Sequence, residues 1–304
     1  MFAHTIVTRS EPANISPDSL SQPEWLSAIA NLKELDIRFE ASNGILWQYM
    51  KMIERPSVTL GLIADSERVM DAIEESYRSG PAVRYVVGAS RRPGIFSLGG
   101  DLIYFRQLIQ TRDEDRLREY AYACCKCQYR RATRMNLPIC TIALVQGSAL
   151  GGGFEAALSH DVIIAERSAK FGLPEVLFNL FPGMGAYSFL VRRMDAVRTE
   201  RLMLSRKLLP AAELAEMGIV DVLADDGRGE SAVYDYVAEH SRERNARLAI
   251  AKLRNKVLPV SLEELLEVAD VWVEAALQLD ARDLQKMDHL VAAQSKQSAR
   301  LAAE

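Results

Sequence analysis

Two glutamates and two glycine turns are the residues whose types and spacing point to chemistry. Glu155 follows Gly151-Gly152-Gly153-Phe154 and precedes Ala156, Ala157 and Leu158, so it lies in the first turn of an otherwise apolar helix. Glu175 sits in Leu173-Pro174-Glu175-Val176-Leu177-Phe178, again with apolar flanks. A carboxyl in apolar surroundings ionises less readily and can carry protons near neutral pH. Plainer readings stand beside this one. Glu155 also suits a helix N-terminal acid held by the dipole, and Glu175 a surface acid beside a turn.

The glycine turns are Phe96-Ser97-Leu98-Gly99-Gly100-Asp101-Leu102 and Gln146-Gly147-Ser148-Ala149-Leu150-Gly151-Gly152-Gly153. Each follows an apolar strand signal and runs into a helix. Glycine lets backbone approach a ligand closely, and a helix start leaves N–H groups unspent. With the partial positive charge of a helix N-terminus, such a turn suits an oxyanion. Neither segment ends in Gly-Lys-Ser/Thr, nor has the spaced glycines of a dinucleotide site. Tight packing is the plain alternative for both.

These residues need a scaffold, and the apolar patterning describes one. Leu35–Glu40 alternates as a half-buried strand, Asn43-Gly44 reads as a two-residue hairpin turn, and Ile45–Met52 returns. Asp65–Arg78 has helical spacing through Val69, Ile73 and Tyr77, and Val83–Val87 is a strand buried on both faces. A charged helix over Asp113–Met135 leads into a strand at Ile139–Gln146. Further strands are expected at Asp161–Ala165 and Ile219–Leu223, the latter after a helix at Ala211–Met217. Alternating strands and helices indicate an α/β protein of right-handed βαβ units. Beyond Arg228 only helices are expected. Ser261–Leu279 carries Leu262, Leu265, Leu266, Ala269 and Trp272 on one side and must pack on the core or on another subunit. The polar first thirty or so residues, with Pro12, Pro17 and Pro23, read as an arm with a short helix near Trp25.

Bulk properties remove other classes. The 304 residues are 49% hydrophobic, enough for a sizeable core, and the formal charge of -4 argues against a nucleic-acid binder. No run is long and apolar enough for a membrane span or a secretory signal, so a cytoplasmic protein is expected. Cys124, Cys125, Cys127 and Cys140 fit that compartment as reduced structural residues. Cys124 and Cys125 point to different sides of a helix with no histidine nearby, so no metal site is expected. His160, just after a helix, reads as a polar end-cap rather than a base.

The segments FSLGGDL, VQGSALGGGFEAAL, HDVIIAERSAKFGLPEV and FPGMGA resemble, in order and spacing, the crotonase (enoyl-CoA hydratase/isomerase) superfamily over roughly Leu35 to Leu223. The resemblance implies the crotonase (ClpP-like) fold, repeated ββα units in a spiral with a C-terminal helical region. It divides the chain into an arm (1–30), a crotonase core (31–227) and a helical region serving oligomerisation and the acyl pocket (228–304). It gives the oxyanion hole to the N–H groups of Gly100 and Gly152, and catalysis to Glu155 and Glu175. In dehydration Glu175 is then the base and Glu155 the acid. Trimers or pairs of trimers are implied.

After Pro182-Gly183 the chain reads Met184-Gly185-Ala186-Tyr187-Ser188-Phe189-Leu190, unlike the usual hydratase run. ALVQGSALGGGFEAALS, FGLPEVLFNLFPGMGAYSFL and MDHLVAAQS instead resemble the diffusible signal factor synthases of bacterial quorum sensing. That implies dehydration of a 3-hydroxyacyl-acyl carrier protein to the cis-2-enoyl form and thioester hydrolysis, releasing a cis-2-unsaturated fatty acid signal. No cofactor is implied beyond the carrier of the acyl group, phosphopantetheine on acyl carrier protein or CoA. A regulatory sensor protein is a further partner of this reading. Leu177, Phe178, Leu180, Met184, Trp272 and Leu277 are expected to wall the acyl pocket. Arg91-Arg92, or Arg130, Arg131 and Arg134, are candidates for a landing patch for the acidic carrier. The alternatives are a CoA-dependent enoyl hydratase or isomerase, and a non-catalytic interaction protein of the same fold.

Overall fold

The computed structural model describes residues 23–79 and 83–301. The arm read over residues 1–30 therefore lies mostly outside the described residues; its short helix is Glu24–Ser27, with Trp25 buried.

Two sheets are built by one repeated unit. Strands β1 (Leu35–Glu40) and β2 (Ile45–Met50) form an antiparallel hairpin. Next come β3 (Tyr85–Ser90) and β4 (Gly94–Ser97), then a helix at Leu102–Thr111. The pattern recurs as β5 (Cys140–Val145), β6 (Gly147–Leu150) and a helix at Gly152–Leu158. It recurs again as β7 (Val162–Glu166), β8 (Lys170–Gly172) and a 3-10 turn at Pro174–Phe178. The first strand of each repeat joins the larger sheet, β1-β2-β3-β5-β7-β10, and the second joins the smaller, β4-β6-β8-β9. Here β9 is Leu209–Pro210 and β10 is Val222–Ala224. Because β4, β6 and β8 are parallel neighbours, the segments leaving them emerge side by side. Those segments carry Gly100, Gly152 and Glu175.

The larger sheet is buried on both faces, and its alternation sorts side chains between two cores. Val86, Ala143 and Ile163 face the main core, while Tyr85, Val87, Ile142 and Ile164 face a second one closed by Val233 and Val237 of the helix Gly229–His240.

Several expectations need correction. Glu40 pairs with Ile45, so Asn43-Gly44 belongs to a four-residue connection rather than a two-residue turn. Gly44 does take the left-handed backbone, with φ +64°. The helix read from Asp65 begins at Leu60, where the Thr59 hydroxyl accepts from the Leu62 N–H. The strand read from Val83 starts at Tyr85, and the one read from Ile219 starts at Val222.

In the C-terminal region, the helix Leu262–Ala276 is capped by Ser261 and buries Leu265, Ala269, Trp272, Val273 and Ala276. It packs against the helix Glu114–Ala132 of the same chain, so this stripe needs no second subunit. The preceding helix, Arg244–Val257, has no buried residue and exposes Ile250, Leu253 and Val257.

Candidate active site

The two glycine turns meet. An ideal Cβ placed on Gly152 would lie 3.3 Å from the Gly100 nitrogen, so the two amides are close neighbours. Asp101 ends the first turn by capping the helix Leu102–Thr111, accepting from the Tyr104 N–H at 3.2 Å. Gly152 opens its own helix, which leaves its N–H without an intrahelical acceptor. A side chain at Gly100 would strike the Phe105 ring at 2.6 Å, so the approach depends on glycine. Two adjacent donors aimed at one point can stabilise charge developing on a carbonyl oxygen.

Glu155 is 1% exposed. Its Oε1 accepts from the backbone N–H of Met184 at 2.8 Å and of Ala186 at 3.0 Å. The turn supplying both donors requires Gly185, whose φ is +118°. Burial raises the Glu155 carboxyl above the ordinary range, while the two N–H bonds pull it back. Glu175 is carried on the 3-10 turn Pro174–Phe178 and packs against the Gly151 backbone, where an added Cβ would meet its Oε1 at 2.3 Å. Its Oε2 is enclosed and has no hydrogen-bond partner among the described residues. Burial pushes the Glu175 carboxyl up as well, and the neighbouring Glu155 charge pushes it further. Of the pair, Glu155 therefore ionises first. Two buried carboxyls with raised pKa beside two neighbouring amides are an arrangement able to move protons on a bound carbonyl compound.

The protein-family model for enoyl-CoA hydratase/isomerase matches residues 43–277. The chain belongs to the enoyl-CoA hydratase/isomerase family. Among curated relatives, the mitochondrial methylglutaconyl-CoA hydratase of Homo sapiens is 30% identical over 187 residues, 62% of this chain and 52% of its own length. The chain spans about half the length of the curated relatives it matches, 56% and 52% for the rat and human proteins. The enoyl-CoA hydratase of Bacillus halodurans superposes with a TM-score of 0.73 at 23% identity, over 84% of this chain and 100% of that one. Human mitochondrial delta3-delta2-enoyl-CoA isomerase gives 0.70 at 18% identity, over 87% and 99%. At those identities the likeness speaks for the fold, which is the α/β crotonase fold with a helical C-terminal region.

Within this enoyl-CoA hydratase/isomerase family member, Gly100 separates two spaces. Outside it, a cleft of about 30 Å³ lies between Arg55–Ser57 and Val291, Gln294 and Ser295 of the last helix, Ala281–Leu301. Inside it, a cavity of about 90 Å³ is lined by Gly100, Gly152 and Met184 and runs past Tyr120, Cys124 and Cys127 to Arg131 and His160. Glu155 and Glu175 are not among its lining residues but adjoin them, Glu155 accepting from the Met184 N–H and Glu175 packing on Gly151 next to Gly152. Of the expected acyl wall, only Met184 borders it. Phe178, Leu180 and Trp272 are buried in the main core, Leu277 packs on that core, and Leu177 is exposed. An apolar stripe in the sequence does not say which space it faces.

The arginines proposed as a landing patch are engaged within the chain. Arg91 pairs with Asp36 at 2.6 Å, Arg92 donates to the Met52 and Ile53 carbonyls, and Arg130 pairs with Asp71 and Glu74. Arg134 is buried against Asp161 at 2.8 Å, and Arg131 lines the cavity. Met184 and Ala186, which hold Glu155 through their N–H groups, were not singled out for that role; the Gly185 between them was the available signal.

Proposed function

We propose that this site adds water across the C2–C3 double bond of a 2-enoyl thioester, and runs the reverse dehydration, on CoA-linked substrates. The observation that carries the reading is the pair of buried carboxyls, both raised in pKa by burial, beside the Gly100 and Gly152 amides. In hydration, the Glu155 carboxylate takes a proton from water as the water oxygen bonds to C3. The C2–C3 electrons pass towards the thioester carbonyl, whose oxygen is held by the two amides. Glu175 then gives its proton to C2. The net change is water added and one proton moved from Glu175 to Glu155. Dehydration follows the same path backwards, with Glu175 as base and Glu155 as acid. The outer cleft at Gly100 suits the pantetheine arm, and the inner cavity suits the acyl group.

A second reading, signal synthesis from a 3-hydroxyacyl-acyl carrier protein, is favoured by the resemblance of the ALVQGSALGGGFEAALS, FGLPEVLFNLFPGMGAYSFL and MDHLVAAQS stretches. It uses the same two glutamates and adds thioester hydrolysis. One assay separates the readings. Purified protein is supplied with 2-enoyl-CoA, 3-hydroxyacyl-CoA and 3-hydroxyacyl-acyl carrier protein, and products are identified by mass spectrometry. Interconversion of the CoA esters with the thioester intact is the expected result. Release of free cis-2-unsaturated acid from the carrier protein alone would replace it with signal synthesis.

The assembly in both readings is a homo-oligomer, trimeric or hexameric. The Arg244–Val257 helix, rather than Leu262–Ala276, offers the surface for it: Ile250, Leu253 and Val257 form one exposed apolar stripe. Light scattering at micromolar concentration should give a multiple of the chain mass, and Leu253→Glu should reduce it. A monomeric mass for the unmodified protein would refute the assembly.

A further inference from the structure

Gly152 and His160 stand at opposite ends of the helix Gly152–Leu158 and both line the cavity; its inner end, at His160, is polar, while Leu62, Ile63, Met70 and Ile73 add apolar wall. Arg131 comes from the last turn of the helix Glu114–Ala132 and lines the cavity with Gln128 from the turn before. Opposite them stands His160, from just after the helix Gly152–Leu158.

Arg131 donates one hydrogen bond, from Nη1 to the Ser159 hydroxyl at 3.1 Å. Among the described residues it makes no ion pair, whereas neighbouring Arg130 and Arg134 are both paired with carboxylates. Burial lowers its pKa, and among the described residues the groups that raise it are the thiols of Cys127 and Cys124, themselves held protonated by burial. A guanidinium carries five N–H donors and does not give up its proton in proteins. The Ser159 hydroxyl and the C-terminal dipole of the Gly152–Leu158 helix offset only part of that charge. Gln128 is also buried, and its Oε1 has no partner. His160 Nδ1 lies 2.8 Å from the Ala156 carbonyl, so that nitrogen carries the proton and the other, Nε2, is an acceptor. Nε2 is turned towards Gly88, where an added Cβ would meet it at 3.0 Å, so the small residue keeps the space beside the ring open.

We propose that the acyl group accepted by this site carries a second acid function, a carboxylate at the end of the chain remote from the thioester, which binds Arg131 and Gln128 at the inner end of the cavity. This rests on the hydration reading for its thioester end but not for its selectivity. A neutral alkyl tail would cover the half-buried guanidinium without supplying an opposite charge and would strip its water, an unfavourable exchange. A carboxylate supplies the charge and the paired oxygens that a guanidinium fork recognises. The Gln128 amide beside it, whose Oε1 has no partner among the described residues, offers its NH2 group to the same oxygens.

The test compares tails of equal carbon count. Calorimetric affinities are measured for pentanoyl-CoA against glutaryl-CoA and for hexanoyl-CoA against adipyl-CoA, using the full chain. Turnover is followed in parallel with 2-enoyl-CoA esters with and without a terminal carboxylate. In the wild type the carboxylate-ended ester should bind at least about ten-fold tighter in one of the two pairs. Arg131→Met should abolish that preference, and Arg131→Lys should restore part of it. Equal or tighter binding of both neutral tails by the wild type overturns the proposal, whatever the variants do. A preference unchanged in folded Arg131→Met overturns the assignment to Arg131. A carboxylate preference in binding with no turnover of any ester would reject hydration and leave this inference standing.

Discussion

Two kinds of charge-bearing group stand without an opposite charge, two buried carboxyls and one half-buried guanidinium, and they behave differently. At the reacting end, Glu155 and Glu175 lie behind Gly151 and Gly152, with one carboxyl oxygen of Glu175 unpartnered. At the inner end, Arg131 lines the cavity with a single hydrogen bond. A carboxyl can relieve burial by keeping its proton, so burial tunes the glutamates for proton transfer. A guanidinium has no such exit. On the proposed readings, the same physical cost makes an acid/base pair of the glutamates and a demand for an anion at Arg131.

The largest effect expected on that contrast comes from removing a titrating oxygen. Glu155→Gln or Glu175→Gln should lower kcat for hydration by about 10²–10⁴-fold, since proton transfer is lost with almost no change in volume. The comparison breaks if both variants hydrate at near wild-type rates. Should only one be impaired, proton transfer at this site would run through a single carboxyl.

A smaller effect is the pH dependence. The pair must hold one proton in either direction of the reaction. Glu155 is pushed up to about 7 and Glu175 to about 8, so kcat/KM should peak between those values. It should fall about ten-fold per pH unit on either side, because the pair is then doubly protonated or doubly ionised. An activity plateau extending unchanged down to pH 5 would mean that burial does not raise these carboxyls.

Much of the reacting end was legible in the sequence. Gly99-Gly100, Gly151-Gly152 and the two glutamates stand in short runs whose local pattern, strand then glycine then helix, is the structure itself. The strand Leu35–Glu40 was legible for the same reason, its alternation being a two-residue period. The inner end was not. Gln128, Arg131 and His160 are brought together by packing between helices that are distant in sequence, and Arg131 looks like its neighbours Arg130 and Arg134 until the partners are seen. The Leu262–Ala276 stripe packs on the core, one of the two coverings expected; periodicity shows that a face is covered, but not that the Glu114–Ala132 helix covers it.

The smallest effect separates the two burial costs by their response to pH. The folded-state pKa values of Glu155 and Glu175 are raised above the unfolded value of about 4.3, so the folded protein holds extra protons above that pH. Stability from this source is full below the unfolded pKa and is lost as pH rises through about 7 and about 8. Replacing both glutamates by glutamine should therefore raise Tm relative to wild type by a margin that widens from pH 5 to pH 8. Arg131→Met should also raise Tm, by a few degrees at about 2–4 °C per kcal/mol, because the Ser159 hydroxyl keeps its own bond to the Ala156 carbonyl at 2.7 Å. Its margin should be flat across the same range, since the guanidinium does not titrate there. Scanning calorimetry of the three proteins at pH 5, 6.5 and 8 measures both slopes. A glutamine margin that stays constant, or an arginine margin that follows pH, would mean that the carboxyl pair and the guanidinium do not differ in the way their chemistry requires.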